Sequence, residues 1–285
     1  MITFEDVHIS YGKNEVIKGI SFEVNEGEIF GIIGHNGAGK TTLLRAMVGI
    51  IAPDKGKILV NGVNPLERKP QIAVLFESTK GQSFLRLTPV EDLEFYSALY
   101  GVDVDKERIH EILKIVGLYS AKDKKLYTFS RGMWQRQFLA RVLLPDFPII
   151  VLDEPWLGLD VSAQRETVEL LKRLKKMGKT IVLTAHEMPL IERVCDRIML
   201  INKGRKVIEG GIKELLDRLE WKYEVSIVGD VESLNPIKRD GKLIFYVKDL
   251  KEFLQRLDFS KIDEIDIKPI SLEEAYLRLL GDKND

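Results

Sequence analysis

The sequence predicts an α/β core with an antiparallel β-arm in front, a helical subdomain inserted, and a small C-terminal α+β domain behind. Three observations carry that prediction. Glu28–Ile33, Pro148–Leu152 and Thr180–Leu183 are short Ile/Val-rich runs without alternation, the pattern of parallel strands covered on both faces. Helical periodicity lies between them, at Thr41–Val48, Val161–Met177 and Met188–Val194. The first run leads into Gly34-His35-Asn36-Gly37-Ala38-Gly39-Lys40-Thr41, which fits the phosphate-loop pattern Gly-x-x-x-x-Gly-Lys-Ser/Thr between a strand and a helix.

The elements follow in order. Ile2–Tyr11 and Val16–Glu23 alternate around a Gly12-Lys13-Asn14 turn, which reads as an antiparallel arm. Between residues 85 and 145 the strand signal disappears. Thr88-Pro89-Val90-Glu91 combines a capping-box Thr and Glu with Pro in the first helical position, opening a helix that runs to about Tyr100 and ends at Gly101. Lys106–Val116 and Met133–Leu144 are further helices of this inserted subdomain. After Gly210-Gly211 the pattern changes. Lys213–Leu219 reads as a linking helix, Tyr223–Val228, Lys242–Val247 and Ile262–Ile267 as strands, and Leu250–Leu257 as a helix. Ser271-Leu272-Glu273-Glu274 is a capping box opening a last helix to Leu280. The expected organisation is therefore a nucleotide-binding domain over 1–220, with its helical subdomain at about 85–145, and an accessory domain over 221–285. The accessory domain is small for an independent core.

Composition narrows the class. The 285 residues carry 43 Lys+Arg against 44 Asp+Glu, a formal net charge of −1, with −3 in residues 222–285 and +2 in the rest. That balance argues against a chain that coats nucleic acid, so no nucleic-acid partner is expected. One cysteine, Cys195, excludes an internal disulfide. The 31% of charged residues exceeds the usual quarter and fits a hyperthermophile. No stretch reaches the ~18–20 apolar residues of a membrane span. Met1-Ile2-Thr3-Phe4-Glu5-Asp6 lacks the basic and apolar regions of a signal peptide, so a soluble intracellular protein is expected.

The chemistry concentrates at two strand ends. Glycines at 34, 37 and 39 let backbone N–H groups turn inward around phosphate, and the following helix adds its dipole. The nucleotide cradle is expected from Gly34, His35, Asn36, Gly37, Ala38, Gly39, Lys40, Thr41 and Thr42, with Lys40 reaching the β- and γ-phosphates and Thr41 binding Mg²⁺. Ile149-Ile150-Val151-Leu152 runs into Asp153-Glu154-Pro155, which puts two carboxylates at the carboxyl edge of a buried strand, where α/β proteins bind ligands. Asp153 suits a role at Mg²⁺, and Glu154 is placed to orient and polarise a water aimed at the γ-phosphate.

Further motifs occur in a fixed order. Phe129-Ser130-Arg131-Gly132-Met133, then Trp134-Gln135-Arg136, resembles the signature Leu-Ser-Gly-Gly-Gln of the ATP-binding cassette (ABC) ATPases and lies 23 residues before Asp153. Leu157-Gly158-Leu159-Asp160 resembles their D-loop, and His186, 33 residues after Asp153, their switch histidine. Tyr11 matches the aromatic that stacks on adenine. With the phosphate loop and the Asp-Glu pair, these six motifs make residues 1–220 similar to that family, a P-loop NTPase core. The resemblance implies that Ser130, Gly132 and Asp160 help enclose nucleotide, and that His186 contacts the γ-phosphate and holds the attacking water. The chain also departs from the pattern. Glu77 stands where the family has its Q-loop glutamine, with a carboxylate able to reach Mg²⁺. Arg131 replaces a glycine, and Trp156 replaces the Thr or Ser after Glu-Pro, with packing as its default role.

If the family geometry holds, one chain cannot complete its own site. Two copies, expected as a homodimer, pack head to tail so that the phosphate loop of one and the Ser130 segment of the other enclose each ATP. With a single cassette and no long coiled-coil insertion, the expected role is the ATP-hydrolysing subunit of a membrane transporter, peripheral on the inner face of the membrane through separate permease subunits. Thr184-Ala185-His186-Glu187-Met188, Glu192-Arg193-Val194-Cys195-Asp196-Arg197 and Ile270–Leu279 resemble the exporters of drugs, polysaccharides, lipids and sodium. An importer ATPase, or a regulatory or ribosome-associated ATPase without transport, is the alternative. A permease helix is expected near Glu77–Leu87, with Phe76, Phe84 and Leu85 either contacting it or packing inside the helical subdomain.

Overall fold

A computed structural model describes residues 1–76, 86–186, 188–217, 221–231, 236–239, 241–272 and 274. Expected positions Glu77, Phe84 and Leu85 lie outside the described residues, as does nearly all of the last helix. The chain divides into two compact units, Met1–Glu209 and Gly210–Asp285.

The first unit is built on two sheets. Strands β1 (Ile2–Tyr11) and β2 (Asn14–Val24) pair antiparallel, and β4 (Lys55–Val60) joins the other edge of β1 to complete the arm, in the order β2-β1-β4. The core sheet contains β3 (Ile29–Ile33), β5 (Ile72–Leu75), β6 (Ile149–Asp153), β7 (Thr180–Ala185), β8 (Arg197–Asn202) and β9 (Arg205–Gly211), ordered β5-β6-β7-β3-β8-β9. The five strands from β5 to β8 run parallel. Every residue of β3, β6 and β7 is buried, which is why their sequences do not alternate.

Register decides where function can sit. Ile33 pairs with Ala185, and Asp153 pairs with Thr184, so β3, β6 and β7 end level with one another. The loop after β3, the turn after β6 and the loop after β7 therefore leave the sheet along one carboxyl edge. Helices α1 (Lys40–Met47), α5 (Val161–Lys176) and α6 (Met188–Val194) follow those strands.

The helical subdomain holds α2 (Pro89–Tyr100), α3 (Lys106–Ile115) and α4 (Arg131–Leu143), with short 3₁₀ turns at Tyr119–Ala121 and Leu126–Thr128. Thr88 and Glu91 form the expected capping box: Glu91 N donates to Thr88 Oγ1 at 3.2 Å and Thr88 N to Glu91 Oε2 at 2.7 Å. Asp92, fully buried, binds Arg141 of α4 through two hydrogen bonds of 2.8 and 2.6 Å and accepts Gln137 Nε2 at 2.7 Å. That network ties the first helix of the subdomain to the third.

The second unit carries α7 (Ile212–Asp217), β10 (Tyr223–Gly229), β11 (Ile237–Arg239), β12 (Lys242–Val247), α8 (Leu250–Gln255) and β13 (Ile262–Pro269). Its sheet is antiparallel in the order β11-β12-β10-β13, around a small core that includes Val225, Ile227, Phe245, Val247 and Leu257. Of the box expected to open the last helix, Glu274 N donates to Ser271 Oγ at 3.2 Å.

Five strands fall outside the expected runs: β4, β5, β8, β9 and β11. The reasons are physical. β4 and β9 alternate weakly or carry charges along a sheet edge, and β11 is three residues long and exposed. The apolar run of β8 follows α6 so closely that its period is hidden by the helix before it. Expected helix limits also shift by a turn or less: α4 begins at Arg131 rather than Met133, because Ser130 caps it.

Candidate functional site

The loop from Gly34 to Gly39 wraps the start of α1. Gly39 has φ +110°, and a Cβ there would come within 2.5 Å of Ile17 Cδ1 of the arm, so the position requires glycine. Gly39 O accepts Leu43 N at 3.0 Å as the helix begins, and Ala38 N donates to His35 O at 3.1 Å. His35 Nε2 and Asn202 Oδ1 lie 3.0 Å apart, tying the exposed rim of the loop to β8.

Lys40 is buried, with Nζ donating to Gly34 O at 2.7 Å and to His35 O at 3.4 Å. Its ammonium is 3.5 Å from Glu154 Oε1. Thr41 Oγ1 donates to Asp153 Oδ2 at 2.8 Å. Glu154 stands just beyond β6 with φ +48°, an uncommon value for a residue with a side chain. Its Oε2 is 3.2 Å from His186 Nδ1, beyond β7. Lys40 and Thr41 from the first turn of α1, Asp153 and Glu154 from the end of β6, and His186 from beyond β7 thus converge at the level strand ends.

One member of this group is not singled out by the sequence motifs. Thr184, fully buried in β7, donates its hydroxyl to Asp153 Oδ1 and accepts Glu154 N at 3.0 Å. One side chain therefore fixes both carboxylate residues. The available signal is a hydroxyl inside the apolar run Ile181-Val182-Leu183, because a buried polar group needs partners.

The remaining expected positions sit elsewhere. Ser130 caps α4, its Oγ accepting Met133 N at 3.2 Å, and Asp160 caps α5, accepting Ala163 N at 2.9 Å. Both are exposed, and no hydrogen bond joins either to the Lys40–Glu154 group among the described residues. Gly132 packs on Ala163, with 2.9 Å left for a Cβ. Tyr11 is about half exposed, at the end of β1, whose neighbour β2 supplies the Ile17 that touches Gly39. Trp156 is fully buried and so packs, the default expected for it.

The donor set at Thr41 and Asp153 consists of hard oxygens, which suits Mg²⁺. Among the described residues no cluster of three or more His, Cys, Asp or Glu could hold a metal. The fit is to a cation that takes few protein ligands and completes its shell with water and phosphate oxygens.

Residues 17–157 match the family model described as ABC transporter. The chain is 36% identical to the Nod factor export ATP-binding protein I of Rhizobium etli, covering 98% of this chain and 93% of that one. It is 34% identical to the ABC transporter ATP-binding protein NatA of Bacillus subtilis, over 76% of this chain and 92% of that protein. Among solved structures, cbiO1 from Clostridium perfringens, part of the ABC transporter complex cbiONQ, superposes with a TM-score of 0.68 at 26% identity, covering 76% of this chain and 90% of that one.

Proposed function

The chain belongs to the ABC transporter family as an ATP-binding subunit, and from that premise we propose that two copies enclose ATP head to tail and power export through separate membrane-spanning subunits. The subunit binds ATP and hydrolyses it. What supports the catalytic assignment is the convergence of Lys40, Thr41, Asp153, Glu154 and His186 on one sheet edge.

In this reading the loop N–H groups and Lys40 bind the β- and γ-phosphates, and Tyr11 stacks on adenine. Thr41 and Asp153 would hold Mg²⁺, with Glu77 as the third oxygen ligand expected from the sequence, and the metal would supply positive charge to the phosphate oxygens. Glu154 takes a proton from water as that water attacks the γ-phosphorus, and the bond to the bridging oxygen of ADP breaks. His186, 3.2 Å from Glu154 in the resting arrangement, orients the carboxylate and the water. Ser130, Gly132 and Asp160 supply the opposite wall from the second copy. ATP then bridges the copies, and its cleavage replaces one shared anion by two that repel, so the dimer loosens.

Export is read from the relatives named for Nod factor export and linearmycin resistance. No helix among the described residues is long and apolar enough to cross a membrane. In this reading the subunit is held on the inner face of the cell membrane by its permease.

Glu154→Gln tests the mechanism. The variant should bind ATP like the parent, hydrolyse at least ~100-fold more slowly, and shift to a dimer on adding ATP, measured by light scattering. Parent-like hydrolysis would remove Glu154 as the base; a monomer at saturating ATP would remove the head-to-tail arrangement.

A further inference from the structure

Arg131 stands where the family signature has glycine, and its place in the fold is specific. Its guanidinium lies against Gly158: a Cβ built on Gly158 would fall 2.3 Å from Cζ and Nη2 and 2.4 Å from Nη1. Gly158 has φ +67°, a backbone conformation that favours glycine. The other arginines of α4 are ion-paired, Arg136 with Glu166 and Arg141 with Asp92. Arg131 makes no ion pair or hydrogen bond among the described residues. Arg131 and Gly158 are both exposed, and the guanidinium rests on the Gly158 peptide, a contact for which a planar guanidinium is suited and an ammonium is not.

That contact joins two turns. On one side it is continuous with Ser130, the cap of α4. On the other, Leu157 N donates to Glu154 O at 3.1 Å and Leu159 N to Trp156 O at 3.1 Å, and the Trp156 side chain is buried. Gly132 against Ala163 closes the same corner. A short path of packed groups therefore runs from Ser130 through Arg131 and Gly158 to the backbone of Glu154 within one chain.

We propose that Arg131 is a positioning residue that ties the Ser130 turn to the Glu154 turn, so that the two ATP sites of a dimer turn over cooperatively. The inference rests on the head-to-tail arrangement proposed above: there Ser130 faces the partner's ATP while Glu154 serves the chain's own. Closure of the α4 turn on one nucleotide is transmitted through Arg131 to the base at the other, a coupling between sites that both nucleotides bias.

The experiment is the ATP dependence of hydrolysis for the full-length parent, Arg131→Ala, Arg131→Lys and Gly158→Ala, with thermal stability recorded for each. The parent curve should be sigmoidal, with a Hill coefficient approaching about two, the number of sites. Arg131→Ala should bring it to about one, and Arg131→Lys should restore little of it. Gly158→Ala, whose methyl displaces the guanidinium, should act like Arg131→Ala, and the double variant should be no less cooperative than either. A sigmoidal curve retained in Arg131→Ala would overturn the proposal, as would a hyperbolic parent curve. Dimerisation of Glu154→Gln by ATP separates the cases: if it occurs, only the coupling through Arg131 has failed; if it does not, the dimer reading has failed first.

Discussion

Thr41 and Asp153 are 112 residues apart in sequence, yet Thr41 Oγ1 donates to Asp153 Oδ2 at 2.8 Å. The hydroxyl belongs to the first turn of α1 and the carboxylate to the last position of β6. Their hydrogen bond joins the phosphate loop to the acidic strand end before any nucleotide is considered.

The first prediction concerns that pair. Thr41→Val keeps the shape and removes the oxygen, and Asp153→Asn keeps the hydrogen bond and removes the charge. Each should raise the Mg²⁺ concentration needed for half-maximal hydrolysis by about 10-fold or more. A titration of Mg²⁺ at fixed ATP reads it, and curves that overlay the parent's would take these oxygens out of the metal site.

His186 is expected to act on rate more than on binding. Its Nδ1 meets Glu154 Oε2 at 3.2 Å, whereas the phosphate loop is held by Lys40 and backbone groups. His186→Ala should therefore lower kcat about 100-fold while KM for ATP changes little, the pattern of an interaction realised in the transition state. Steady-state kinetics over an ATP series checks both constants together. A raised KM at unchanged kcat would assign His186 to binding alone.

The buried Asp92–Arg141 pair should dominate the stability of the helical subdomain. Asp92 is fully buried and carries hydrogen bonds from Arg141 and Gln137, so Asp92→Ala strands a buried cation. The expected cost is about 3–5 kcal/mol, and Arg141→Met in the same chain should recover much of it. Denaturant unfolding of the two single variants and the double variant measures the recovery. A simple sum of the single effects would mean that the pair is not coupled.

Within the accessory unit Glu274 should respond to acid in the opposite sense from Asp258 and Asp266, whose carboxyls are held below the ordinary value by hydrogen bonds from Ser260 and Lys268. The Tyr246 hydroxyl lies 3.0 Å from Glu224 Oε2 and 3.1 Å from Glu274 Oε1, with one proton to share between them. Burial, and then the neighbouring Glu224, pushes the Glu274 carboxyl above its ordinary value of 4.5, while burial and the same carboxylates push the Tyr246 hydroxyl up to about 12. A carboxyl whose pKa is raised by folding binds its proton more tightly in the native state. Its contribution is full below the unfolded value and is lost as pH rises through the folded one. As pH rises above the unfolded carboxyl value of about 4.3, Glu274 should lower the thermal midpoint of its unit, a slope that Glu274→Gln flattens. Calorimetry of the whole chain at several pH values would show it; an identical slope in the variant would exclude Glu274 as its source.

Much of the site was legible along the chain because its chemistry is written in contiguous residues. Gly34 to Thr41 carries its own loop geometry, and Ile149–Leu152 followed by Asp153-Glu154 announces a buried strand that ends in acid. The Thr88–Glu91 capping box was readable too, since capping is a local relation of three residues. Thr184 was not, because one hydroxyl in an apolar run has no local signature of what it holds. The edge strands β4 and β9 were missed for a related reason: their strand character comes from the neighbour that pairs with them, not from their own alternation.

The sequence alone thus determined the α/β class, the glycine-rich loop pattern and the strand that ends in two carboxylates, all of which depend on spacing within a few residues. Only the tertiary structure decided that β3, β6 and β7 end level, that Thr184 serves Asp153 and Glu154 together, and that Arg131 rests on Gly158. Those relations join segments far apart in the chain. They are set by strand register and by the close packing of side chains across elements, which no local pattern encodes.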